Sequence, residues 1–192
     1  MIRHLFRIVP ALAAAGGLTA AGCSTTIVEP ATLSTGYDGG TFGYAARGGT
    51  MPMLVLGNTT TLPQDRFAEE VRAVAEAPGY FPATQFTPAP LDAGEGYRIV
   101  LAFNQANVNI ASSLCRPATV ATLPAPLEGD RTTLDAAFCG GTAPVSYVRG
   151  TSPAIVGVND PALQELVNQV LVDLLPQRNL DLEDRPEPYV PG

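Results

Sequence analysis

The chain has 192 residues and a net charge of −7 at pH 7; its eleven basic residues are all arginine, and it has one histidine and no tryptophan. An acidic balance of this size repels nucleic-acid phosphates and anionic lipid head groups, so no nucleic-acid partner is expected. Without lysine there is no Schiff-base nucleophile, no Ser-Lys dyad and no phosphate-loop lysine.

The first 22 residues have a basic start, Arg3, His4 and Arg7, followed by an uncharged apolar stretch from Ile8 to Ala21. That stretch is shorter than the roughly 20 apolar residues a bilayer crossing needs. It has the length of the apolar centre of an export signal and is closed by small residues. Ala20-Ala21-Gly22-Cys23 then resembles the lipobox of bacterial lipoproteins, with Ala20 standing where that family prefers Leu. The resemblance covers only the first two dozen residues. It implies that residues 1–22 are a signal peptide, removed by cleavage before Cys23. It also implies that the Cys23 thiol carries a diacylglyceryl group and that the new amino terminus is acylated, with fatty chains such as palmitate. Each buried methylene contributes about 0.8 kcal/mol, so two or three chains anchor firmly where one holds only marginally. Ser24 follows the cysteine, and by the sorting rule of enteric bacteria the absence of Asp there implies the outer membrane.

Cleavage at that point removes the only histidine and leaves nine arginines against eighteen acids, a net charge of −9. The roughly 170 residues that remain suit one domain with a real core. Residues 23–36 have the composition of a lipidated terminus and tether, 37–177 of a single domain, and 178–192 of an acidic, proline-containing tail.

Within the domain, the glycine-punctuated stretch 36–49 reads as a loop or irregular edge strand carrying Phe42 and Tyr44 inward. Met53-Leu54-Val55-Leu56 is a short buried strand ending at Gly57-Asn58. Thr61-Leu62-Pro63-Gln64 reads as a helix start, with Thr61 as cap and Gln64 reaching back. Phe67, Val71 and Val74 then form one apolar face, and Pro78-Gly79 stops the helix. Residues 78–96 carry four prolines and read as a surface connection. Tyr97–Phe103 is apolar on both faces, which predicts a central strand covered on both sides. Arg131–Cys139 and Val145–Arg149 read as neighbouring strands joined by a hairpin-like Gly140-Gly141-Thr142-Ala143-Pro144. Asp160 caps the clearest helix, Pro161 takes its first position, and Leu163, Leu166, Val167, Val170, Leu171, Leu174 and Leu175 form a broad apolar stripe. The expected fold class is α+β, a small mixed or antiparallel sheet with two helices packed on one face.

With Cys23 lipidated, Cys115 and Cys139 are an even pair in an oxidising compartment, one following the central strand and the other ending its neighbour. A structural disulfide is the expected state. Neither C-x-x-C spacing nor a fuller set of soft ligands points to redox or metal chemistry.

A mature chain without histidine carries no Ser-His-Asp or Cys-His arrangement. What remains is carboxylate chemistry, such as glycoside hydrolysis or carbohydrate binding at the envelope. Asp92, Glu95, Glu128 and Asp130 are the acids in the Gly/Pro-rich loops, and no spacing singles out a pair. Asp181, Glu183 and Asp184 read as a solvated acidic run rather than a calcium site. The sequence therefore predicts no catalytic residues, cofactor or metal. It predicts a non-enzymatic envelope lipoprotein facing the periplasm, attached to the membrane through Cys23 and either binding another envelope protein or supporting a larger assembly.

Overall fold

The computed structural model describes residues 25–91, 95–105, 110–116 and 129–179. In chain order the elements are β1 Ile27–Val28, β2 Thr32–Leu33, α1 Thr41–Ala45, β3 Thr50–Leu56, α2 Gln64–Val74, β4 Gln85–Pro88, β5 Tyr97–Phe103, α3 Ile110–Leu114, β6 Arg131–Gly140, β7 Ala143–Pro153 and α4 Pro161–Leu174. The class is α+β, with a mixed sheet of seven strands in the order β1-β7-β6-β5-β3-β4, while β2 also pairs with β7. β3 runs parallel to both β4 and β5, and the other pairings are antiparallel.

The sheet is larger than the small one expected, because three strands come from stretches without strand-like periodicity. Two lie in the segment read as a tether: Ile27 pairs with Thr151 and Thr32 with Tyr147, along the edge of β7. The third is β4, inside the proline-rich connection. It pairs with β3 through four residues and buries Phe86, while Pro88 is tolerated because β4 lies at the sheet edge.

β5 is central, between β3 and β6. Its side chains divide by the period of two that a strand imposes. Ile99, Leu101 and Phe103 join the main core, together with Met51, Met53 and Val55 of β3 and Leu134, Ala136 and Phe138 of β6. Phe67, Ala68 and Val71 of α2 belong to the same core, as does the α4 stripe from Leu163 to Leu175. Val100 and Ala102 face the other way and form a second cluster with Leu114, Cys115, Ala137 and Cys139.

The start of α4 follows the sequence closely: Pro161 is the first helical residue and Asp160 accepts a hydrogen bond from the Ala162 N–H at 3.0 Å. The start of α2 does not. Its N-cap is Pro63, with no side-chain cap. Asn58 organises the preceding turn by accepting from the Thr60 N–H at 2.8 Å and donating to the Leu62 carbonyl at 2.6 Å. Thr61 is left exposed, and the Gln64 amide donates to the Val55 carbonyl at 3.0 Å instead of closing a capping box. The expected loop or edge strand at 36–49 contains a short helix, α1, which the Asp38 carboxylate starts by accepting from the Gly40 N–H at 2.8 Å and from the Thr41 hydroxyl at 3.1 Å. Helical spacing then buries Phe42 but turns Tyr44 outward, with Arg47 over its ring at 4.4 Å.

Candidate functional site

Three kinds of residue were candidates from sequence: the lipidation cysteine, the cysteine pair and the loop carboxylates. Cys23 lies outside the described residues, as do Asp92, Glu128, Asp181, Glu183 and Asp184. Cys115 and Cys139 are joined in a disulfide with Cα atoms 5.5 Å apart and a sequence separation of 24. A loop of that length is worth about 3 kcal/mol in the chain-entropy model. The bridge ties the end of α3 to β6 within the second cluster.

Glu95 and Asp130 are both exposed, but at opposite ends of the sheet. Glu95 precedes β5, Asp130 precedes the antiparallel β6, and Phe103 pairs with Leu134. A seven-residue strand spans about 20 Å, so these two carboxyls stand much farther apart than the roughly 5–10 Å a glycosidase pair requires. Among the described residues no group of three His, Cys, Asp or Glu side chains is placed to hold a metal ion.

The most distinctive polar group lies on the same side of the sheet as the disulfide. Asp135 sits in the middle of β6, fully buried, directly across from Arg149 of β7. One oxygen, Oδ1, accepts from the Tyr147 hydroxyl at 2.5 Å and from Arg149 Nε at 2.7 Å, and Arg149 Nη2 lies 2.7 Å from the same atom. The other oxygen, Oδ2, is buried without a hydrogen-bond partner among the described residues. Burial and the Asp135 carboxylate both push the Tyr147 hydroxyl well above the usual tyrosine range. The hydrogen bond to Asp135 likewise raises Arg149, so both donors keep their protons.

Arg98, two positions from the centre of β5, is nearly fully buried. It donates to the Cys115 carbonyl at 2.7 Å and the Gly141 carbonyl at 3.1 Å, and burial draws its pKa down. It thereby clamps the disulfide-bearing segment to the β6–β7 turn. Neither Arg98 nor Asp135 was singled out from sequence. The available signal was a charge inside an otherwise apolar strand, since a buried charge must find a partner or lose its ionisation.

A third polar arrangement closes the C-terminal end of α4, where neither a basic side chain in the last turn nor a glycine satisfies the free carbonyls. Ser146 donates to the Leu174 carbonyl at 2.5 Å, Tyr80 to the Leu175 carbonyl at 2.7 Å, and Tyr37 to the Pro176 carbonyl. Burial raises both tyrosines above their ordinary value of 10.0. An acid whose folded pKa is raised holds its proton longer in the native state. Its stabilisation is therefore complete below pH 10 and is lost as pH rises beyond it. Thermal unfolding followed by circular dichroism is expected to show a falling midpoint above pH 10. Tyr37→Phe is expected to start lower at pH 8 and to fall less steeply; an unchanged slope would show that Tyr37 does not contribute.

No family model matches the chain. No curated protein matches it. Among solved structures it is similar to a chain of the PelC dodecamer from Paraburkholderia phytofirmans, with 12% sequence identity, a TM-score of 0.42, and coverage of 79% of this chain and 98% of that one.

Proposed function

We propose that this chain is a lipid-anchored protein of the cell envelope, exported, cut before Cys23, facing the periplasm from the outer membrane, with a non-enzymatic binding or structural role. The observation that carries the reading is Ala20-Ala21-Gly22-Cys23 directly behind a basic start and a short apolar segment. The Cys115–Cys139 bridge supports it by occupying the two other cysteines, so that Cys23 alone remains for acylation.

The non-enzymatic half has its own support. The buried carboxylate Asp135 is engaged by an arginine and a tyrosine that both keep their protons, and Glu95 and Asp130 stand at opposite ends of the sheet. In this reading α2 and α4 form one layer on one sheet face, as their shared core with Met53 and Leu101 suggests, and the domain serves as a rigid body presented to another envelope protein.

The test is to express the chain with its own leader, as wild type and as Cys23→Ser, then fractionate the cells and crosslink before pull-down from membranes. Wild type is expected in the membrane fraction with a specific partner, and the variant in the soluble envelope fraction. Tight membrane retention of the variant would overturn the anchoring. Turnover of a wall polymer by the purified domain would overturn the non-enzymatic role.

A further inference from the structure

Among the described residues, the strand registers assign the entering chain and the turns beside the strands to one of two ends of the sheet. β1 runs antiparallel to β7, Ile27 opposite Thr151 and Val28 opposite Gly150, so Thr25 extends toward Pro153. Arg131 pairs with Pro153, and Leu134 with Phe103, so the β6 start and the β5 end share that end. β3 is parallel to β5, which brings Leu56 and the loop leading to α2 there as well. The opposite end carries the β6–β7 turn at Gly141 and Thr142.

The end where the chain enters carries exposed aliphatic side chains. Val156, three residues beyond β7, is 81% exposed, and Ile27 is 54% exposed. Leu62, in the loop between β3 and α2, is 38% exposed, and with Val156 and Val158 it lines a shallow recess rimmed by Thr60, Thr61 and Asn159.

We infer that this end of the sheet is a membrane-contact face, with Val156 and Leu62 resting in the interfacial region of a bilayer of zwitterionic lipid. The inference depends on the proposed acylation of Cys23 and specifies how the anchored domain stands. Only Ser24 separates Cys23 from Thr25. Four residues of fully extended chain, from Cys23 to Ile27, span at most about 14 Å. A lipid on Cys23 therefore cannot hold the domain at a distance, and the end of the sheet at which β1 enters is the one brought against the membrane. Insertion of a few aliphatic side chains binds a free protein only marginally, but it is enough to orient one already anchored. Asp130 and Asp160 at this end outnumber its exposed cation Arg131, which favours zwitterionic over anionic lipid.

The absence of tryptophan provides a clean probe. Val156→Trp and, at the opposite end, the exposed Thr142→Trp each give the acylated full chain a single reporter. Both variants are purified from membranes and reconstituted into phosphatidylcholine vesicles, with and without brominated acyl chains. Emission from the substitution at 156 is expected to shift to shorter wavelength and to lose about half its intensity to the brominated lipid, while that at 142 is expected to match the value in water. If the protein floats with the vesicles but both reporters remain in water, the contact face is wrong and the anchoring stands. If the protein does not float with the vesicles, the anchoring itself fails and this face with it. A blue shift at 156 without bromine quenching would place a second copy of this chain there and overturn the lipid contact.

Discussion

Replacing Asp135 with alanine is expected to lower folding stability by about 3 kcal/mol or more. The reason is asymmetry. Arg149 and Tyr147 both direct their donors at Asp135 Oδ1, and the substitution leaves a guanidinium and a phenol facing an apolar space. Arg149 is 16% exposed, so it can regain part of its hydration, which holds the loss near the lower end of the range for broken buried pairs. Removing the whole group should cost much less, because no buried donor is then left without an acceptor. Urea unfolding at pH 7 should show Asp135→Ala as strongly destabilised, and the combined Asp135→Ala, Tyr147→Phe and Arg149→Met as largely restored. Equal loss in both would mean that the pair contributes net stability rather than mainly fixing which residues face each other across β6 and β7.

Gly57→Ala is expected to cost about 3 kcal/mol, for two independent reasons. Gly57 ends β3 at φ 72°, a left-handed conformation that costs an L-residue roughly 1–2 kcal/mol. Its added Cβ would also lie 2.3 Å from the Phe103 carbonyl oxygen and 3.2 Å from the carbonyl carbon. These are backbone atoms of the central strand and cannot rotate away. The substitution should therefore disturb the β3–β5 pairing where the chain leaves the sheet for α2. Chemical denaturation checks the magnitude, and Gly49→Ala is the control: it shares a positive φ of 75° but its Cβ would meet open space. A loss at Gly57 no greater than at Gly49 would remove the steric part of the explanation.

Much of the core was legible in the sequence because its elements are long enough to show a period. The α4 stripe, its Asp160-Pro161 start and the two-faced apolar β5 all follow from local chemistry alone. The short elements were not legible. Two-residue strands such as β1 and β2 have no periodicity to read; they form because the edge of β7 offers free backbone groups to whatever chain passes by. β4 and α1 were masked by proline and glycine, whose usual meaning as breakers is overridden by an edge position in one case and by the Asp38 side chain in the other.

The buried polar groups were hidden for a different reason. Asp135 and Arg149 are fourteen residues apart, and only the register between β6 and β7 sets them opposite each other. The tyrosines that close the end of α4 come from 95 and 139 positions away in the chain. The disulfide, by contrast, could be expected from an even cysteine pair placed beside two neighbouring strands.

Processing at Cys23 is decided by the mass of the intact protein purified from membranes. The expected product is a chain that begins at Cys23 and carries the added mass of a diacylglyceryl group and an amino-terminal acyl chain, with Cys115 and Cys139 resistant to alkylation until reduced. A chain beginning at any other residue, or a Cys23 thiol that alkylates freely, would contradict it.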